Sequence, residues 1–335
     1  MNKDQDYAIV MKGISKEFKV LNRREGLKGS LLDLFSRDYK TVTAVNNINI
    51  EIPKGQIVGY LGPNGAGKST TIKMMTGVLE PTRGEILVNG CVPYKNRTKN
   101  AENIGVVFGQ RSQLWWSLPL IESFRLLKEI YLIPDAEYDG MMELYGSLVD
   151  LEPLLHKTVR QMSLGQRTLS DILAAFLHNP GIVFLDEPTI GLDVSMKAKI
   201  RELIKELNRR KKTTVILTTH DMGDVDALCQ RIVIIDHGKM IYDNDMEHLK
   251  TFFGSYRTLK LRLPGDVWEE RLIDESKTDV MGVISEYQKK GKILDIKLEE
   301  ISTEEVIKKI YEGGSNEYEK IFSVDESGDY SGAAV

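Results

Sequence analysis

The sequence predicts an α/β fold built on a buried parallel sheet, and three observations carry that expectation. Residues 56–61, 182–185 and 214–218 are short apolar runs without alternation, the pattern of strands covered on both faces. Helix-forming stretches at 70–75, 166–178 and 195–209 fall between them. The first run opens directly onto Gly62-Pro63-Asn64-Gly65-Ala66-Gly67-Lys68-Ser69-Thr70. That is the GxxxxGKS spacing of a phosphate-binding P-loop in strand–loop–helix context.

The chemistry of such a loop is specific. Glycines let consecutive backbone N–H groups converge on an anion with no Cβ in the way. The following helix N-terminus adds the positive end of a dipole. Lys68 can reach β- and γ-phosphates, and the Ser69 hydroxyl can ligate Mg²⁺. A nucleoside triphosphate is the expected ligand.

In chain order, residues 7–14 read as a strand. Phe18 follows, either a core aromatic or a ring that stacks on a nucleotide base. Over 19–42, Leu27, Leu31, Leu34 and Phe35 recur at helical spacing among Arg23, Arg24, Lys28, Arg37 and Lys40. An amphipathic helix packed on its own domain is the favoured reading; a basic element at lipid headgroups or a membrane partner is the alternative. Residues 42–52 alternate as a strand, and Pro53-Lys54-Gly55 turns into the P-loop strand. Pro81-Thr82-Arg83-Gly84 marks a second turn, and 85–88 with Asn89-Gly90 predicts a strand entering a tight hairpin. Residues 104–108 form another apolar strand.

From Gln113 to Met162 the signals are helical, at 122–131 and 138–149, with breaks at Pro134 and Pro153. The α/β rhythm then returns. Met196, Ile200, Leu203, Ile204 and Leu207 line one face of the helix at 195–209, as core residues do. Residues 231–236, His237-Gly238 and 239–242 read as a hairpin. Past Asp245 come a helix to about 253, strands at 258–263 and 293–298 and a helix at 303–311, an α/β appendix. Residues 313–335, rich in Ser, Gly and acids, have the composition of a disordered tail. The expected segments are therefore 1–112 for the β subdomain and P-loop part, 113–162 helical, 163–245 for the second core part, 246–312 for the appendix and 313–335 for the tail.

Composition narrows the function. The chain of 335 residues has room for two or three compact units. Its net charge of −4 argues against a general nucleic-acid binder. Two distant cysteines, Cys91 and Cys229, build neither a disulfide framework nor a Cys-rich zinc site and fit a reducing cytoplasm. No signal segment opens the chain, and no apolar run approaches the about 20 residues that cross a bilayer. Membrane work would go through a partner.

A P-loop needs an acid at the end of a neighbouring strand. Asp186 sits where a carboxylate can hold Mg²⁺ through its water shell, and Glu187 where one can polarise the attacking water. Parallel topology would bring His220, after the strand at 214–218, beside the P-loop to meet the γ-phosphate. Gln110, also at a strand end, could ligate Mg²⁺ and orient water.

Over roughly residues 7–245 these features, in order and spacing, resemble the nucleotide-binding subunit of ABC transporters. Gln110 falls at the Q-loop, Met162-Ser163-Leu164-Gly165-Gln166 at the signature, Asp186 and Glu187 at Walker B, Gly191-Leu192-Asp193 at the D-loop and His220 at the switch. The resemblance implies an ABC ATPase core with an antiparallel β subdomain and a helical insertion. Departures exist: Leu164 replaces the first glycine of LSGGQ and Met162 its leucine, Leu169 stands at a commonly basic position, and the extra Gly109 leaves Gln113 as a second Q-loop candidate. The insertion at 19–42 and the segments around Gln110–Trp116 and Ser163–Arg167 resemble subunits serving ABC-2 type exporters.

The resemblance also implies partners. Two subunits, identical or related, sandwich two ATPs head to tail; Lys68, Ser69, Gln110, Asp186, Glu187 and His220 of one chain meet Ser163, Gly165 and Gln166 of the other. Asp193 and Phe18 complete the expected nucleotide contacts. An integral membrane permease is the expected partner, from a peripheral seat on the cytoplasmic face, with no nucleic acid. Trp115 and Trp116 read as partly buried core or as an anchor for a permease loop. A soluble ABC-type ATPase acting on ribosomes or DNA is the competing function.

Overall fold

The structure, a computed structural model, describes residues 6–21, 39–108, 112–252, 254, 256–275, 277–308 and 310–311. Gln110, the stripe from Leu27 to Phe35 and the segment 313–335 lie outside the described residues. By contact density the chain divides into two compact units, residues 1–243 and 244–335.

The first unit is laid on β3 (Ile57–Leu61), β5 (Ile104–Phe108), β6 (Ile182–Asp186), β7 (Thr214–Thr218), β8 (Arg231–Asp236) and β9 (Lys239–Asp245). They order as β5-β6-β7-β3-β8-β9, and every pair from β5 to β8 is parallel. β3 and β7 are buried along their whole length, which explains why their sequences run apolar rather than alternate. Asp186 pairs with Thr218 and Phe108 with Asp186, so these strands end level at one edge. That edge is where an open parallel sheet binds ligands.

A second sheet is antiparallel, in the order β2 (Tyr39–Pro53), β1 (Tyr7–Leu21), β4 (Arg83–Val88). Its Ile9, Ile14, Val45, Ile48 and Ile86 share one core with Tyr60, Phe184, Ile216 and Val233 of the parallel sheet and with Met74 and Met75 of α1 (Lys68–Met75). Burying side chains of this size contributes roughly 1.5–3 kcal/mol each. The helix that starts at the P-loop is thus clamped between two sheets.

β1 and β2 run further than their sequences indicate. Phe18 pairs with Val42 and Leu21 with Tyr39, which trims the expected 19–42 insertion to residues 22–38. The Asn89-Gly90 turn forms, with φ of 48° and 75°, but the expected hairpin stops at a single Val88–Cys91 bridge. Pro93 follows within two residues, and a proline removes a ladder donor. The short α2 (Arg97–Ala101) has too few residues for a periodic signal.

The helical segment holds α3 (Leu120–Ile130), α4 (Asp135–Leu148) and α5 (Glu152–Leu155). Pro134 caps α4, as expected of a break; Pro153 instead sits inside the first turn of α5, where its missing N–H has no partner to lose. α6 (Leu164–Phe176), α7 (Val194–Lys211) and α8 (Met222–Leu228) complete the unit. The apolar stripe of α7 is core: Ile200, Leu203, Ile204 and Leu207 are buried. α6 lies so close to β5 that a Cβ on Gly105 would sit 2.2 Å from the Ala175 carbonyl oxygen.

The second unit holds α9 (Met246–Phe252) and the antiparallel order β11 (Val267–Asp274), β10 (Tyr256–Leu263), β12 (Asp295–Glu300), with α10 (Val280–Lys290). Leu259, Leu261, Ile273, Val283 and Ile284 form its core. β11 and α10 go beyond the sequence reading, because five of the eight β11 residues are exposed and leave no alternation to read.

Gly105→Ala is expected to destabilise the first unit by about 1–3 kcal/mol, since backbone must move to admit the methyl. Urea unfolding measures it, and an unchanged midpoint would mean that β5 and α6 are not in this contact.

Candidate functional site

The P-loop bridges β3 and α1 at the level edge of the sheet. Gly67 has φ 107°, and a Cβ there would meet the Ala44 carbonyl oxygen at 2.5 Å, so only glycine lets this turn press against β2. No side chain caps α1, which leaves its first N–H groups directed at the cleft.

A cleft of about 500 Å³ opens there. Pro63, Asn64, Gly65, Gly67, Lys68, Ser69 and Thr70 line one side, and Asp186, Glu187 and His220 the other, with Ala44 and Ile190 at its rim. Residues more than 150 positions apart in sequence thus meet through the crossovers of one sheet. Ser163, Gly165, Gln166, Asp193 and Phe18 are not among its lining.

Electrostatics inside the cleft are balanced. The Lys68 ammonium donates to the carbonyl oxygens of Gly62 and Pro63 (3.1 Å to the latter). Desolvation pulls its pKa down, and the charges of Glu187 and Asp186 pull it back up. Glu187 shows the mirror image: burial raises its pKa, and His220 opposes the rise. The His220 backbone N–H donates to Glu187 Oε2 at 3.3 Å, and its ring Nε2 lies 3.6 Å from Oε1. Asp186 accepts the Thr218 hydroxyl. Glu187 is held at φ +54°, an αL conformation that a glutamate adopts only where its surroundings enforce it.

Ser69 and Asp186 present hard oxygen donors on facing walls, a set that fits Mg²⁺ shared with phosphate oxygens and water. Among the described residues no cluster of three or more His, Cys, Asp or Glu could hold a metal alone.

The signature residues form a different feature. Ser163 caps α6: its Oγ accepts the Gln166 N–H at 3.2 Å, and the Gln166 side chain accepts the Ser163 N–H at 3.3 Å. Leu164 is exposed, and Gly165 touches Met196 so closely that a Cβ would meet its Cγ at 2.6 Å. Leu169 is buried, which accounts for an apolar residue there. Asp193 caps α7, accepting the Met196 N–H at 2.9 Å. Gln113 directs its amide to the Asp171 carbonyl at 3.1 Å, away from the cleft lining. Phe18 is 37% exposed with the Lys16 ammonium 5.4 Å from its ring centre. Trp115 and Trp116 are exposed rather than core, and the Arg167 guanidinium stacks 4.4 Å from a Trp116 ring centre.

Two residues in and near the site were missed by the sequence reading. Ala44 enters the cleft through the β2 register alone. Asp171, buried in α6 with its pKa raised to about 6 by desolvation, accepts from the Ser112 hydroxyl at 2.9 Å and the Gln113 N–H at 3.1 Å. A carboxylate in the apolar run of α6 was the available clue.

Fold and cleft together define a P-loop NTPase whose phosphate site is completed by strand-end acids and a histidine. Residues 45–190 match the sequence profile of the family described as "ABC transporter"; residues 156–226 also match one described as "AAA domain, putative AbiEii toxin, Type IV TA system". The chain is 34% identical over 215 residues to the ABC transporter ATP-binding protein NatA of Bacillus subtilis (strain 168), covering 64% of this chain and 87% of the relative. It is 36% identical over 229 residues to ABC transporter A family member 1 of Dictyostelium discoideum, covering 68% of this chain but only 26% of that protein. Among solved structures, a dimeric post-hydrolysis state of the ATP-binding cassette MJ0796 bound to ADP and Pi superposes with a TM-score of 0.56 at 26% identity, covering 71% of this chain and 98% of that one. The chain belongs to the ABC transporter ATP-binding proteins, a family of ATPases. No helix among the described residues is long and apolar enough to cross a membrane.

Lys68→Ala is expected to weaken ATP binding about ten- to hundred-fold, the size of a lost charge-assisted contact. Titration with a fluorescent ATP analogue reads it, and unchanged affinity would remove Lys68 from the site.

Proposed function

We propose that this chain is the ATP-binding and hydrolysing subunit of an ABC transporter and energises a separate transmembrane permease, in the export direction. The observation that carries the reading is the cleft in which Lys68, Ser69, Asp186, Glu187 and His220 face one P-loop. Similarity to NatA, an ABC transporter ATP-binding protein, supports it. No observation favours the ribosome or DNA alternative.

In this reading the P-loop N–H groups and Lys68 hold the β- and γ-phosphates, and Phe18 stacks on the base. Ser69 and Asp186, with Gln110, would hold Mg²⁺, which when bound neutralises charge developing on the phosphate oxygens. Glu187, kept basic enough by desolvation, takes a proton from the attacking water. His220 contacts the γ-phosphate and keeps Glu187 oriented.

The second wall of the site comes from another cassette, identical or related. Its Ser163, Gly165 and Gln166, at the start of α6, offer a hydroxyl, an N–H and a helix dipole to the γ-phosphate, and its Asp193 approaches the same phosphates. Similarity to the MJ0796 cassette, a dimer with ADP and Pi bound, supports this arrangement. ATP then joins two cassettes, and loss of the γ-phosphate reopens them. The working seat is the cytoplasmic face of a membrane, beside the permease, with Trp115 and Trp116 as its exposed anchor.

Glu187→Gln is expected to keep ATP affinity, cut turnover by at least about a hundred-fold and accumulate an ATP-bound dimer on size-exclusion chromatography. A strictly monomeric, normally active variant would remove both the base and the sandwich.

Replacing Trp115 and Trp116 together by Ala is expected to leave basal hydrolysis near wild type and to abolish retention of the permease in detergent pull-downs, at a cost of at least about 2 kcal/mol. Undiminished retention would show that the pair is not the anchor.

A further inference from the structure

The catalytic cleft is flanked by a buried carboxylate that the mechanism above does not use. Asp224, on α8, is fully buried. Its Oδ2 accepts the hydroxyl of Thr189, two residues past Glu187, and that of Thr219 at 3.0 Å, one residue before His220. Its Oδ1 accepts Arg201 Nε of α7 at 2.7 Å. Arg201 is held in turn by Asp221 at 3.2 Å, which also receives the Lys197 ammonium. One buried oxygen atom thus joins the loop that follows the general base to the loop that presents the histidine.

A burial of this kind is expensive unless the charge is fully bonded, and here it is bonded from three elements. Hydrophobic residues of similar volume would pack β6, β7 and α7 at least as well. What they could not do is fix the separation of two loops to a fraction of an ångström. That separation matters, because Glu187 sits at φ +54° and touches His220 through two contacts of 3.3 and 3.6 Å. The Glu187 N–H also donates to the Thr218 carbonyl at 2.9 Å, one residue before Thr219.

We propose that Asp224, through the hydroxyls of Thr189 and Thr219, is the positioning residue that sets the Glu187–His220 geometry for hydrolysis. Arg201, bonded to the other carboxylate oxygen, keeps Asp224 aimed at both hydroxyls. The inference rests on the reading of Glu187 as general base. The hydroxyls carry the effect, so removing one while keeping the shape isolates positioning from packing.

The experiment compares Thr189→Val, Thr219→Val and Thr189→Ser with the wild-type chain, in single-turnover ATP hydrolysis and in ATP-analogue titration. Each Val variant retains volume; Thr189→Val removes the hydroxyl bonded to Asp224, and Thr219→Val removes in addition the acceptor of the Asp221 N–H at 3.0 Å. The expected result is a hydrolysis rate lower by about ten- to hundred-fold, as small misplacements of reacting groups produce. ATP affinity stays within about two-fold, the melting temperature stays within a few degrees, and Thr189→Ser restores the rate. Should one Val variant fail to fold, the other decides. A folded Val variant with a wild-type rate overturns the proposal while leaving the ATPase reading in place. Equal loss of affinity and rate also overturns it, because that would mark a general distortion of the cleft. Glu187→Gln run alongside separates the two ideas: if it turns over ATP normally, the reading of the base fails, whatever the threonines do.

Discussion

The level ending of β3, β6 and β7 is the constraint on which the site depends. Parallel pairing sets Asp186 opposite Thr218 and Gly59 opposite Leu217. Because the strands run the same way, every carboxyl end faces one edge, and every chemistry-bearing loop leaves from it. Only a sheet buried on both faces holds this register firmly, and full burial of Ile57–Leu61 and Thr214–Thr218 supplies that. The antiparallel sheet supports the P-loop from outside the parallel sheet, with the Ala44 carbonyl close against Gly67.

Within that frame the cleft is a place where charge is allowed but not comfortable. Lys68 is pulled toward neutrality by burial and returned toward the cation by two carboxylates. Glu187 is pulled toward the protonated form and returned by His220. Neither shift is an isolated property of one residue. Each group's charge is supported by its neighbours across the cleft, so substitutions on one wall alter the other. A multiply negative phosphate entering between them would meet dipoles and cations already oriented, which is the condition for strong electrostatic stabilisation.

Much of this was legible in the sequence, for identifiable reasons. The P-loop has a fixed spacing, and Asp186-Glu187 follows a run too apolar to be anything but a buried strand, so local pattern and function coincide. The cleft gathers the P-loop residues with Asp186, Glu187 and His220, while Ser163, Gly165, Gln166, Asp193 and Phe18 are not among its lining. What escaped was whatever depends on register or on long-range pairing. Phe18 sits in a ladder with Val42 that extends past the predicted strand end. Asp224 reads as one of two acids in a short helix, and only the fold brings Thr189, Thr219 and Arg201 to it. β11 has no alternation because most of it faces solvent.

The signature turn explains how one serine can serve the fold and the proposed chemistry together. As helix cap, Ser163 Oγ accepts a backbone N–H, which uses a lone pair and leaves the hydroxyl proton free to donate. The first N–H groups of a helix have no partner within it, so the geometry that starts α6 also suits the anion contact proposed for this turn. Leu164 does not interrupt this, because its side chain is exposed at the helix start while Gly165 makes the close approach to Met196. Arg167, one turn further, stacks on Trp116, and the Trp116 carbonyl accepts the Arg160 N–H at 3.1 Å. The exposed tryptophans therefore touch the helix that the signature turn starts, through the cation–π contact between Arg167 of α6 and Trp116.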